Sequence, residues 1–111
     1  MHRLSTYIRV INQIPDRVSV VEENCTESSY LDDGVQIFER ETVYQFDNGV
    51  EVIQKLEWDS ANTENSNSHD TACVDFWLSY EVSKSNGCAI EPAIKQFHNR
   101  CQEAFWLKIQ P

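Results

Sequence analysis

Residues 35–58 read VQIFERETVYQFDNGVEVIQKLEW, two runs of alternating apolar and polar side chains separated by Asp47-Asn48-Gly49. Period-two alternation rich in β-branched and aromatic residues marks strands, and Asn-Gly marks the turn between them. Two registers compete. A two-residue turn pairs Asp47 with Val50, which sets Phe38, Tyr44 and Phe46 on the face of Glu51, Lys55 and Glu57. The apolar set Val50, Val52, Leu56 and Trp58 then lies on the opposite face. A three-residue loop with Gly49 left-handed shifts the pairing by one residue, and a one-residue slip turns every side chain of a strand over. Phe46 then faces Val50, Tyr44 faces Val52 and Phe38 faces Trp58, with both apolar sets on one side. Burial of a common face selects the three-residue loop. A Phe38–Asp59 pairing would refute it.

Working outward, residues 73–82 alternate strictly. Val74, Phe76, Leu78, Tyr80 and Val82 point one way, and Asp75, Trp77, Ser79 and Glu81 the other. This is the strongest strand signal in the chain. Residues 4–11 are rich in Thr, Tyr, Ile and Val and read as a strand, followed by a turn at Ile14-Pro15-Asp16 and a short strand over 17–21. Residues 22–34 are polar and acidic, end in Asp32-Asp33-Gly34, and read as a loop. Residues 59–71 hold no large apolar side chain and read as an exposed loop. Ser83 to Gly87 reads as a turn. Pro92 suits a first helical turn, and Ile90, Ile94, Phe97, Cys101, Ala104 and Phe105 recur at helical spacing. The predicted fold is therefore α+β: an antiparallel sheet of about five strands with one C-terminal amphipathic helix packed on one face, in a single domain.

Charge is unevenly placed. Between Glu22 and Asp75 stand 14 carboxylates against Arg40 and Lys55, a net −12, whereas the remaining residues carry +3 and the whole chain −9. Such a segment repels nucleic acid and anionic lipid and attracts basic surfaces. No apolar run approaches a bilayer-spanning length, and no apolar leader precedes a cleavage site, so a soluble cytoplasmic protein is expected. In that reducing setting Cys25, Cys73, Cys88 and Cys101 are expected to be free thiols.

Motifs for chemistry are sparse. His98 and Cys101, three residues apart with Cys88 upstream, form the nearest approach to a metal pattern, but Cys101 falls in the apolar stripe and zinc sites favour short Cys pairs. His69-Asp70 lies in a loop unsuited to holding a catalytic group in place. No phosphate-binding glycine motif occurs. No cofactor, no metal and no catalytic residue are expected. The expectation is instead a small acidic protein-binding domain, of inhibitor or immunity type, docking on a basic protein partner. Its contacts would be Glu22, Glu23, Asp32, Asp33, Glu39 and Glu41, with Trp77 as an aromatic anchor on the face away from the core. The alternative is a small-molecule-binding or regulatory domain with an apolar pocket between sheet and helix, lined by Phe76, Leu78, Phe97 and Phe105.

Overall fold

The computed structural model describes residues 2–59 and 76–110. Its elements run β1 (His2–Arg3), α1 (Leu4–Ile11), β2 (Val20–Asp32), β3 (Val35–Phe46), β4 (Glu51–Asp59), β5 (Trp77–Lys84), β6 (Ile90–Glu91), β7 (Ile94–Phe97) and α2 (Arg100–Ile109). Strands β2, β3, β4, β5 and β7 form one antiparallel sheet in that order, while β1 pairs in parallel with β6. The fold is α+β, a five-stranded antiparallel sheet with a C-terminal helix, as the sequence predicts, and it carries an additional short N-terminal helix.

The β3–β4 hairpin has the three-residue loop. Tyr44 pairs with Val52 and Phe38 with Trp58, and Asp59 pairs with Ile37. The Phe46 N–H donates to the Val50 carbonyl at 2.9 Å and the Gly49 N–H to the Phe46 carbonyl at 3.0 Å. Gly49 sits at φ +87°, where a side chain is strained. A Cβ there would also lie 2.5 Å from Asn86 Nδ2, which is held by the Asn48 carbonyl at 2.7 Å.

Direct cross-strand partners share a face, so the registers sort the sheet into two. One face carries Thr42, Tyr44 and Phe46 of β3, Val52 and Gln54 of β4, Leu78 and Tyr80 of β5, and Phe97 of β7. All of these are buried. Both helices pack here. Leu4, Tyr7 and Ile8 of α1 are fully buried, and the Tyr7 ring meets Phe46 edge-on at 4.8 Å. From α2, Glu103 reaches the Tyr80 hydroxyl.

Three elements depart from the sequence expectation. Residues 4–11 form a helix, not a strand. Their β-branched content favours extension, but Leu4, Tyr7 and Ile8 stand at helical spacing and make one buried stripe. Residues 22–32 belong to a strand, not a loop. As the sheet's edge, β2 takes its hydrogen bonds from β3 and buries little, so it needs no apolar pattern. Only Asp33-Gly34 turns, with φ of +55° and +83°. Finally, the helix predicted from Pro92 begins at Arg100. Ile94–Phe97 is extended and pairs with β5, and Asn99 caps the helix by accepting from the Gln102 N–H at 2.8 Å. The isoleucines at 90 and 94 imitate a helical repeat while serving two short strands.

The cysteines also differ. Cys101 is disulfide-bonded, and it is exposed rather than set in the apolar stripe. Cys25 and Cys88 are free thiols. Of the strand predicted over 73–82, the part from Trp77 on is strand and continues to Lys84. Residues 73–75, and the predicted loop beyond Asp59, lie outside the described residues.

Candidate functional site

Trp77 follows the alternation of β5, and the pairing fixes what surrounds it. On the sheet face away from both helices, Ser28, Glu39, Glu57 and Trp77 form one row across β2, β3, β4 and β5. Thr26, Glu41, Lys55 and Ser79 form the next. Together the two rows line an open depression of about 390 Å³. Trp77 is 40% exposed, with its ring edge-on to His98 at 5.1 Å.

Among the described residues of these strands, the same face carries Glu22, Asp32, Glu51, Asp59 and Glu81 against only Lys55 and Lys84. Glu39 stands directly opposite Glu57, an arrangement that disfavours folding. Among the described residues the ion pairs are Arg9–Asp16, Arg40–Glu27 and Arg100–Glu103, so Glu39, Glu41 and Glu57 have no cation within 4.0 Å. The field shows at Tyr30, on this face. Local desolvation and the carboxylates of Glu57, Glu39 and Asp32 hold its phenol above the ordinary value. Glu51 behaves oppositely. Hydrogen bonds from Ser83 Oγ at 2.6 Å and Gln45 Nε2 at 3.1 Å hold its carboxyl below the usual range.

Of the seven predicted contact residues, Glu39, Glu41 and Trp77 therefore come together. Glu22 shares the face but lies farther along it, opposite Gln45, and Asp32 sits at the hairpin tip. Asp33 is in the turn itself. Glu23 is on the opposite face, paired with Tyr44, where it borders a second depression of about 330 Å³ with Cys25, Gln54 and Arg100. Glu57, Lys55 and Ser79 are site residues the sequence reading did not single out. The signal was present, because the register that sets Phe38 against Trp58 also sets Glu39 against Glu57 and Glu41 against Lys55.

The helix side of the sheet holds a polar cluster of another kind. Gln54 Nε2 donates to the Tyr80 hydroxyl at 3.0 Å, and that hydroxyl donates to Glu103 Oε2. Arg100 bonds Glu103 Oε1 at 2.8 Å and Asn12 bonds Oε2 at 3.3 Å. Gln54, Tyr80 and Glu103 are buried. Burial, then the Glu103 charge, pushes the Tyr80 phenol far up. For Arg100, burial opposes the charge but Glu103 outweighs it, and the guanidinium is held above its usual value. These groups satisfy one another and tie α1 and α2 to the sheet. They are structural. The four residues of the proposed apolar pocket do not share a space, since Leu78 and Phe97 are packed in the core while Phe105 is 64% exposed.

Among the described residues, no three His, Cys, Asp or Glu side chains are grouped to hold a metal ion, and no helix is long and apolar enough to cross a membrane. No family model matches the chain, and no curated protein or solved structure matches it either.

Proposed function

We propose that this protein binds a basic protein partner through the open sheet face centred on Glu39, Glu41, Glu57 and Trp77. The observation that supports the reading is the pair of cross-strand rows in which three carboxylates with no cation within 4.0 Å share one face with an exposed tryptophan. Opposing Glu39 and Glu57 weakens the folded state by itself, and a cation from a partner relieves that repulsion. Carboxylates fixed on a rigid sheet steer a basic surface into contact, and a flat aromatic supplies the apolar centre around which charged contacts act. An inhibitor of immunity type works this way when its carboxylates occupy a cleft built for phosphates.

The test is capture of basic proteins on the immobilised chain at low and moderate salt. Binding should weaken steeply as the screening length shortens from ~10 Å at 0.1 M salt. Glu39→Lys/Glu41→Lys should abolish it, and Trp77→Ala should shorten residence time. A capture profile indifferent to these changes and to salt overturns the proposal.

A further inference from the structure

We infer that the outer edge of β2 accepts an extended, lysine- or arginine-bearing segment of the partner as a sixth strand. The inference rests on the basic-partner reading above and specifies how the contact is made. β2 is 13 residues long, more than twice a typical strand, and among the described residues it is hydrogen-bonded on one side only, to β3. Every residue from 21 to 32 is exposed. Edge strands are commonly blunted by Pro, by Lys, by brevity or by bulges. This one contains neither Pro nor Lys, and its pairing with β3 is interrupted only between Val20 and Glu22.

The direction of its free hydrogen-bonding groups follows from the hairpin. Asp33 and Gly34, both left-handed, make a two-residue turn, so Asp32 and Val35 exchange both backbone bonds. Alternation along an antiparallel ladder then aims the amides and carbonyls of Leu31, Ser29, Glu27, Cys25 and Glu23 away from the sheet. Those five residues offer the template for a new strand.

Charge selects the occupant. The edge holds Glu22, Glu23, Glu27 and Asp32, of which Glu27 is paired with Arg40. A second copy laid on this edge would set carboxylates against carboxylates. A basic segment would set Lys or Arg beside them. Strands lie ~4.8 Å apart, so a lysine on the added strand also reaches across β2 to Glu39 and Glu41. The edge and the acidic depression then form one continuous surface for the same partner.

Hydrogen exchange of the full chain tests this with a capped peptide of about ten residues in which Lys alternates with Val and Thr. At a peptide concentration of 100 times Kd, exchange at the amides of 23, 25, 27, 29 and 31 should slow about 100-fold, with the even-numbered amides of β2 changing little. A matched peptide with Glu in place of Lys should leave them unchanged. Cys25→Pro removes an outward donor without touching the β2–β3 ladder and should abolish the effect, and Glu23→Lys/Glu27→Lys should weaken binding about tenfold. No selective slowing at saturating peptide overturns the inference. So does slowing of the same amides without peptide in a sedimenting dimer, which would assign the edge to a second copy. Partner binding that survives Cys25→Pro but not Glu39→Lys/Glu41→Lys removes the added strand and leaves the basic-partner reading standing. Binding indifferent to both sets removes both.

Discussion

Replacing Tyr80 by Phe deletes one oxygen atom and no packing volume to speak of, yet it should be among the most damaging single changes in the chain. The hydroxyl is buried between two buried groups, accepting from Gln54 and donating to Glu103. A hydrogen bond to a carboxylate contributes about 1.5–3 kcal/mol, and a stranded buried amide costs about 1–3 kcal/mol. Glu103 keeps Arg100 and Asn12, but the bond from Gln54 Nε2 is lost. The expected loss is about 3 kcal/mol. With an unfolding entropy of about 2.1 cal/mol/K per residue over 111 residues, that is a fall in Tm of about 13 °C. Urea unfolding followed by tryptophan fluorescence should show a lower midpoint with unchanged slope. Gln54→Leu added to Tyr80→Phe removes the stranded amide and should recover part of the loss. A Tyr80→Phe loss under about 1 kcal/mol, or a double variant no more stable than the single one, would refute the reasoning.

Gly49→Ala should destabilise by about 2 kcal/mol, since it adds a clash with Asn86 to left-handed backbone strain. Gly34→Ala, with open space around the added carbon, should cost only about 1 kcal/mol, and thermal melts will rank the two. All four tyrosines are held above their ordinary value. Desolvation comes first among the causes at each of them, so all four favour the protonated folded state. Their contribution is complete below the unfolded phenol value of about 10 and is lost as pH rises through the folded values. Phenolate absorbance should therefore rise later than in a free tyrosine amide, and stability should decline only above about pH 10. Trp77→Ala should change stability by less than about 0.5 kcal/mol in urea melts, because the ring is partly in solvent and outside the core.

The sequence is most informative where one face of a strand is buried and the other is wet. Strands β3, β4 and β5 meet that condition: the β3–β4 register could be deduced to the residue because the wrong choice would expose Val52, and in β5 the alternation marks Leu78 and Tyr80 as the buried side. Strand β2 exposes residues 21–32 and so has no burial pattern to read; its strand character lies in the backbone of β3, not in its own side chains. Helix α1 was hidden by composition, since Thr, Ile and Val favour strands while the spacing of Leu4, Tyr7 and Ile8 favours a helix, and packing decided. In α2 the buried position is Glu103, with Trp106 and Leu107 packed beside it, whereas Cys101, Ala104 and Phe105 turn outward. A search for apolar stripes rotates that helix to the wrong side, because a carboxylate held by Tyr80 and Arg100 looks like a surface residue. The acidic face was half legible. Glu39, Glu41 and Trp77 were identified individually, and the hairpin register could have added Glu57 and Lys55.

The N-terminal segment, residues 2–12, also binds distant parts of the chain together. His2 donates to the Ala89 carbonyl at 2.7 Å, Arg9 to the Leu107 carbonyl at 3.0 Å, and Asn12 to Glu103 at 3.3 Å. During translation the first helix leaves the ribosome with its apolar stripe bare, and the seat that covers it is not finished until residues of the second helix follow. Its greasy side must wait until those later residues emerge, and an apolar stripe left bare in that interval is open to aggregation. Folding of the helix-covered layer is then a late, concerted closure rather than a stepwise addition from one end.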